Sequence, residues 1–411
     1  MDAASNTGLI LTGGGARAAY QVGVLRAVHR IRKEAGGPPG NPYAVLAGTS
    51  AGALIAAGLA THADEPDSGV GQLTDLWANM HVDHVYRTDS FGVIRTGARW
   101  LTMMSMGWAI ARLHRLRPRS LLDNAPLHKM LGDLIDLDRI DHLLADGHLK
   151  ALAVSASSYT SGSHVTFYQS LEQHQPWIRS NRIAVQCPLT MAHLLASSAI
   201  PFMFPAVTLP LQGSYEWFGD GSMRQTAPIS PAIHLGADRI LVVGAGRMRE
   251  PSGPRVVGPS SYPSIAQIGG HALSSIFLDA LAVDAERLQR INSTLALIPE
   301  HVREHATLKP VRLLLISPSE RLDDIAARHI DALPMSIRAL LGGIGVSKGA
   351  PGSNGAALAS YLLFDAGFTR ELMALGRADT LDQRDAVCAF FGWTQASPRR
   401  LTIRTASSTS S

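Results

Sequence analysis

The sequence predicts an α/β fold of three layers: a mainly parallel central sheet, helices on both of its faces, and a helical insertion. Three observations carry this. Short apolar runs alternate with stretches of helical periodicity along most of the chain. The first two of those runs each pass through a glycine-containing turn into a helix. The 411 residues are 46% hydrophobic but only 6% aromatic and 17% charged, the balance of a globular protein with a large aliphatic core.

Leu9, Ile10 and Leu11 open the order with an apolar run that ends in Gly13-Gly14-Gly15, and Ala19, Val22, Val24, Leu25 and Val28 recur behind it at helical spacing. This is a strand, a glycine loop and a helix. Gly36-Gly37-Pro38-Pro39-Gly40 then breaks the chain before a second apolar strand at 43–47, which runs straight into Gly48-Thr49-Ser50-Ala51-Gly52 and a small-residue helix over 53–60. Residues 66–148 carry mostly helical patterning and are expected to form the insertion. Strands resume at 149–155, 240–243 and 311–316, with helical periodicity over 266–297 between the last two. Such alternation implies parallel strands joined by helical crossovers. One domain is expected over 6–375, followed by a C-terminal extension over 376–411 whose end is Ser/Thr-rich and frayed.

The net charge of +4 is too small to mark a nucleic-acid binder, and no nucleic-acid partner is expected. Two cysteines, Cys187 and Cys388, cannot build a disulfide framework or a thiolate metal site, so neither a metal nor another cofactor is expected. A reducing, cytoplasmic setting fits this usage. The apolar run at 9–11 is too short for a signal sequence and lacks a positive segment before it. No run of about 18 apolar residues exists to cross a bilayer, so any membrane contact is expected to be peripheral. The oligomeric state is not readable.

The pattern Gly-x-Ser-x-Gly occurs twice, at 48–52 and 345–349. The second copy, around Ser347, has no strand before it to hold a strained turn and reads as loop. The first has the strand, the tight turn and the helix that an activated serine needs, with Gly48 and Gly52 leaving room around Ser50. Alone, that context fits a nucleophile or a serine that simply caps a helix. The loop at 13–18 satisfies a loose dinucleotide pattern, but the second strand ends in Gly-Thr-Ser rather than in the acidic residue a ribose needs. The other use of such a loop is an oxyanion hole, and Arg17 within it either adds a positive field or fixes the loop.

A serine needs a base. None of the 16 histidines, His193, His234 and His271 included, has a telling context. Asp220 is the better candidate, because an aromatic run, Trp217-Phe218, delivers it onto a glycine-flanked turn. Asp146-Gly147 is an ordinary counterpart, expected at the edge of the sheet away from the strand C-termini.

In this order, Gly13-Gly14-Gly15-Ala16-Arg17, Gly48-Thr49-Ser50-Ala51-Gly52 and Asp220-Gly221 together resemble the patatin-like phospholipase family. Two further stretches are similar to it: Ser120-Leu121-Leu122-Asp123-Asn124-Ala125-Pro126-Leu127 and Ala196-Ser197-Ser198-Ala199-Ile200-Pro201-Phe202-Met203-Phe204-Pro205. The resemblance covers about residues 6–230, and Leu362-Leu363-Phe364-Asp365 looks like the end of the long bacterial branch. It implies a lipid acyl hydrolase with Ser50 as nucleophile and Asp220 as base of a Ser-Asp dyad. It also implies an oxyanion hole from Gly13, Gly14, Gly15 and Arg17, and a lipid or ester substrate. Two positions depart from the family pattern: Ala18 stands where the glycine motif often has another glycine, and Ser222 follows Asp220-Gly221 where glycine or alanine is usual. The alternative is a patatin-like protein that binds lipid without turnover. Last, the apolar stretch 100–110, bracketed by Arg95 and Arg99 before it and Arg112, Arg115, Arg117 and Arg119 after it, is either a lipid-facing lid or a helix packed on the core.

Overall fold

Strands buried on both faces read as unbroken apolar runs, and that is how the centre of the sheet is built. The computed structural model describes residues 6–87, 120–175, 177–246, 265–303, 305–343 and 356–393. Within them, β1 (Thr7–Leu11), β2 (Val45–Thr49), β3 (Ala151–Ser158), β4 (His164–Ser170), β5 (Ile178–Arg179), β6 (Arg182–Gln186), β7 (Val207–Leu211), β8 (Ser214–Asp220), β9 (Arg239–Val243) and β10 (Arg312–Ile316) join in one ten-stranded sheet. Its order is β10-β9-β1-β2-β3-β4-β6-β5, with β8 also paired to β3 and β7 paired to β8. The block from β10 to β3 is parallel throughout. The other flank is mostly antiparallel, since β4 and β8 both run against β3. The fold is therefore α/β with a mainly parallel centre, as the alternation of strands and helices predicts.

Side chains alternate across each strand, so the sheet feeds two cores. Leu9, Leu11, Leu46 and Val243 face one cluster with α1 (Ala19–Glu34) and α2 (Ala51–Ala60), while Ile10, Val45, Ala47 and Val242 face another with Leu281, Ala285 and Leu288 of the helix Ala280–Ala296. Residues 66–148 hold α3 (Pro66–Ala78) and the helices Ala125–Leu134 and Arg139–Ala145. The stretch 100–110 with its flanking arginines, the second Gly-x-Ser-x-Gly around Ser347, and the Ser/Thr-rich tail lie outside the described residues.

The helix Ala366–Asp382 runs unbroken across position 375, where the sequence suggested a boundary. Val387, Cys388, Phe390 and Trp393 beyond it belong to the same core as β1 and α1. Its contact with α1 is a backbone one. A Cβ on Gly23 would stand 2.1 Å from the Met373 carbonyl oxygen, and one on Gly376 would stand 2.2 Å from that of Tyr20. Between them the Tyr20 hydroxyl donates to Asp379 at 2.9 Å. A Gly23→Ala substitution should therefore force the two helices apart and lower unfolding stability by about 2–3 kcal/mol. A urea midpoint that falls with unchanged slope is the expected measurement.

Candidate active site

Ser50 follows β2 and precedes α2 in a turn that only small neighbours permit. A Cβ on Gly48 would lie 2.5 Å from Ala53 Cα, and one on Gly52 would lie 2.3 Å from the Leu11 carbonyl oxygen. Ser50 itself has φ 55° and ψ −133°, a left-handed backbone that costs a non-glycine residue about 1–3 kcal/mol. Although it sits at the N-cap position, its side chain makes no capping hydrogen bond. The hydroxyl is thus not spent on the helix. The turn is held from outside: the Ser50 amide donates to Ser197 Oγ at 2.9 Å, and the Ser197 hydroxyl donates to the Ser155 carbonyl at 2.6 Å.

Sheet register brings Asp220 to the same place from far along the chain. β2 pairs with β3 up to Thr49 opposite Ser155, and where β2 ends β8 takes over beside β3, with Asp220 opposite Ala156. Ser50 and Asp220 therefore succeed each other at one edge of β3. The Ala199 carbonyl accepts the Asp220 amide at 3.0 Å, so the helix Met191–Ser197 and the residues just after it pin both. Gly221 must be glycine here, since a Cβ would meet the Ser155 carbonyl oxygen at 2.2 Å.

Asp220 is 0% exposed and Ser50 1%. One carboxylate oxygen, Oδ1, accepts the Ser222 amide at 2.9 Å, while Oδ2 is buried with no hydrogen-bond partner in normal geometry. Burial pushes the carboxyl up to about 6, opposed by the Ser50 hydroxyl and by Ser222. The Ser50 hydroxyl thus lies near enough to the carboxylate to hold its pKa down against burial. Ser222, which departs from the family pattern, supports the aspartate through its amide.

The glycine loop lies across from this pair. Gly15 has φ 54°, and a Cβ there would stand 2.4 Å from the Tyr361 carbonyl oxygen; one on Gly14 would stand 2.7 Å from Ala245 Cβ. Gly15 and Ser50 line one cavity, of about 800 Å³ counted to its open mouth. Its walls are apolar: Leu54 and Ile55 of α2, Trp77 of α3, Leu131, Phe204 and Phe364. One face of α2 runs along it from Ala51 to Gly58, roughly 10 Å at 1.5 Å per residue, and His62 lines it just past the helix end. Arg17, 2% exposed, does not point into this space. Its Nε donates to Ser360 Oγ at 2.6 Å, and a terminal nitrogen donates to the Ala357 carbonyl at 3.1 Å and pairs with Asp323.

The family model for patatin-like phospholipases matches residues 9–233. The chain belongs to this family. The match takes in the glycine loop, the Ser50 turn and Asp220, and a patatin-like domain is a lipid acyl hydrolase domain. No curated protein matches the chain. Among solved structures, the crystal structure of VipD from Legionella pneumophila matches at 13% identity and a TM-score of 0.31, covering 90% of this chain and 67% of that one. In this patatin-like chain, Asp323, Ser360, Tyr361 and Phe364 all fall beyond the matched segment and still reach the glycine loop or the cavity.

Two site features escape a reading of the sequence. Ser197 lies in a stretch similar to the family, but nothing in its spacing shows that its hydroxyl holds the Ser50 amide. His164, at the start of β4, is buried; burial and the Arg182 guanidinium push it down to about 4, while a hydrogen bond to the Gly221 backbone opposes them. It is neutral at neutral pH and braces the turn that carries Asp220. Among the described residues no helix is long and apolar enough to cross a membrane.

Proposed function

We propose that the protein is a phospholipase A-type esterase that cleaves carboxylic ester bonds of lipids through a Ser50-Asp220 dyad. The observation that carries the reading is the meeting of an uncapped serine on a strained turn with a buried carboxylate oxygen that lacks a partner, at one end of an apolar cavity. Ser50 Oγ attacks the ester carbonyl and its proton passes to Asp220 Oδ2. The backbone amides of the glycine loop, Gly13, Gly14 and Gly15, face the developing charge, while the Arg17 amide closes the loop on the Gly14 carbonyl at 3.1 Å, and the N-terminus of α2 adds its dipole. Collapse of the tetrahedral intermediate releases the alcohol, which takes the proton from Asp220. Water, deprotonated by the same carboxylate, then attacks the acyl-serine, and Ser50 Oγ takes that proton back from Asp220 as the fatty acid leaves.

A linear acyl chain laid along α2 accounts for the apolar walls, and peripheral contact with a lipid surface would supply it. Incubation with a fluorophosphonate probe, followed by hydrolysis of a panel of p-nitrophenyl esters and phospholipids, tests the reading. Labelling at Ser50 with turnover is expected. A folded protein that neither labels nor hydrolyses any member of the panel would instead be a lipid-binding relative without turnover.

A further inference from the structure

The glycine loop has little of its own to hold it. Consecutive glycines lose more conformational freedom on folding than any other residues, and Gly15 sits at φ 54° with no side chain to anchor it. The anchor in this chain is Arg17, and what Arg17 grips comes from more than 300 residues away. Its partners Asp323, Ala357 and Ser360 are separated from it by 306, 340 and 343 positions. Its guanidinium also lies 4.1 Å from the centre of the Tyr361 ring. The grip is built rather than incidental. Ser360 Oγ, which accepts from Arg17 Nε, itself donates to the Ala357 carbonyl at 2.6 Å, and the Tyr361 carbonyl lies directly against Gly15. The same segment is fixed to the insertion through Tyr86, whose hydroxyl donates to the Leu362 carbonyl at 2.9 Å, and it reaches the cavity wall through Phe364.

We infer that Asp323 and Ser360 are positioning residues for the oxyanion loop, acting through Arg17. The loop's amides are then aimed by a clamp from the C-terminal part of the chain, beyond the segment the family model matches. This rests on the dyad reading above, because only in that reading do the loop amides have a charge to meet. Arginine suits such a clamp, since a planar fork can satisfy several acceptors at fixed angles while stacking on a ring, and a lysine cannot. Two of its nitrogens are committed to the C-terminal segment, which fits a role in holding the loop and not in donating to the substrate oxygen. A buried guanidinium that loses its carboxylate is left uncompensated, so the loop should relax to rehydrate it.

Asp323→Asn and Ser360→Ala, singly and together in the full chain, test this with two readouts. Amide hydrogen exchange is expected to speed up in residues 12–22 while β9 and β10 keep their protection. For a short p-nitrophenyl ester, kcat per fluorophosphonate-titrated serine is expected to fall about 10- to 100-fold in the double variant, short of the ~10²–10³ seen when an oxyanion donor is deleted outright. KM should stay within about twofold, and the acidic limb of the rate profile should not move, because the base is untouched. Arg17→Lys should behave like the double variant, since it keeps the charge and loses the fork. Unchanged exchange in residues 12–22 in an otherwise active double variant overturns the clamp alone. So does acceleration spread evenly over the whole chain, which would mean a purely structural role. A wild-type protein that neither labels nor turns over sinks the dyad reading and the inference with it.

Discussion

Replacement of Ser50 with alanine is expected to reduce ester hydrolysis to the background rate and abolish fluorophosphonate labelling, while Ser347→Ala keeps both near wild type. The two serines share a sequence pattern, so the difference must come from setting. Ser50 stands between a strand buried on both faces and a helix whose N-terminus points at it, with Gly48 and Gly52 packed too closely for any side chain. Its hydroxyl makes no capping bond, so its loss should cost the fold little. One secondary effect follows from the same geometry. The Ser50 hydroxyl holds the Asp220 carboxyl down against the push of burial, so in Ser50→Ala that carboxyl should titrate higher than about 6. Infrared or NMR titration of the carboxyl checks this independently of turnover. Equal loss of activity in both variants would defeat the assignment of the turn.

What the sequence makes legible follows from burial. β1, β2, β9 and the first half of β3 are covered on both faces and appear as apolar runs, so the parallel centre and the two turns it carries can be read directly. The antiparallel flank cannot. β6 is only half-buried along its length, and β7 alternates over just five residues with Pro210, a residue that marks breaks, among them, so neither gives the apolar run that marks a central strand. Of that flank only the aromatic pair Trp217-Phe218 announces itself, and it leads to Asp220. Ser197 and His164 act through hydrogen bonds to distant backbone that leave no trace in spacing. The grip on Arg17 is illegible for a different reason: its partners are distant in sequence, and Asp323, Ser360 and Tyr361 belong to no pattern of their own. The helix Ala366–Asp382 is likewise divided at 375 in the sequence reading, because the glycine contacts that fasten it to α1 exist only between the two folded helices.

Asp220→Asn is expected to lower kcat by ~10²–10⁴, the usual worth of general-base assistance, with the protein still folded. Asparagine keeps the shape and the oxygen that accepts the Ser222 amide, but it cannot take the serine proton. In the wild type the base must be ionised, so activity should rise with pH through about 6 and then level off, the position set by burial of the carboxyl. Stability should run the other way. A carboxyl with a folded pKa near 6 against ~3.9 when unfolded binds its proton more tightly in the native state. Between those values the folded protein carries the extra proton, so unfolding free energy falls as pH rises from about 4 to 6, by up to about 3 kcal/mol, and is level above. Asp220→Asn removes this slope. Compared at pH 8, where the wild type bears a buried carboxylate with one unpartnered oxygen, the variant should be at least as stable despite its lost activity. Urea titrations of both proteins at pH 4, 6 and 8, alongside rate profiles on one ester, decide the matter. A histidine variant that folds normally and loses as much activity as Ser50→Ala would point to a triad, and an Asp220→Asn protein with wild-type turnover would remove the carboxylate from the mechanism. His164 is the one histidine for which a partial loss is expected, since it braces the Gly221 turn; its effect should appear as a lower kcat with the limb near 6 in place.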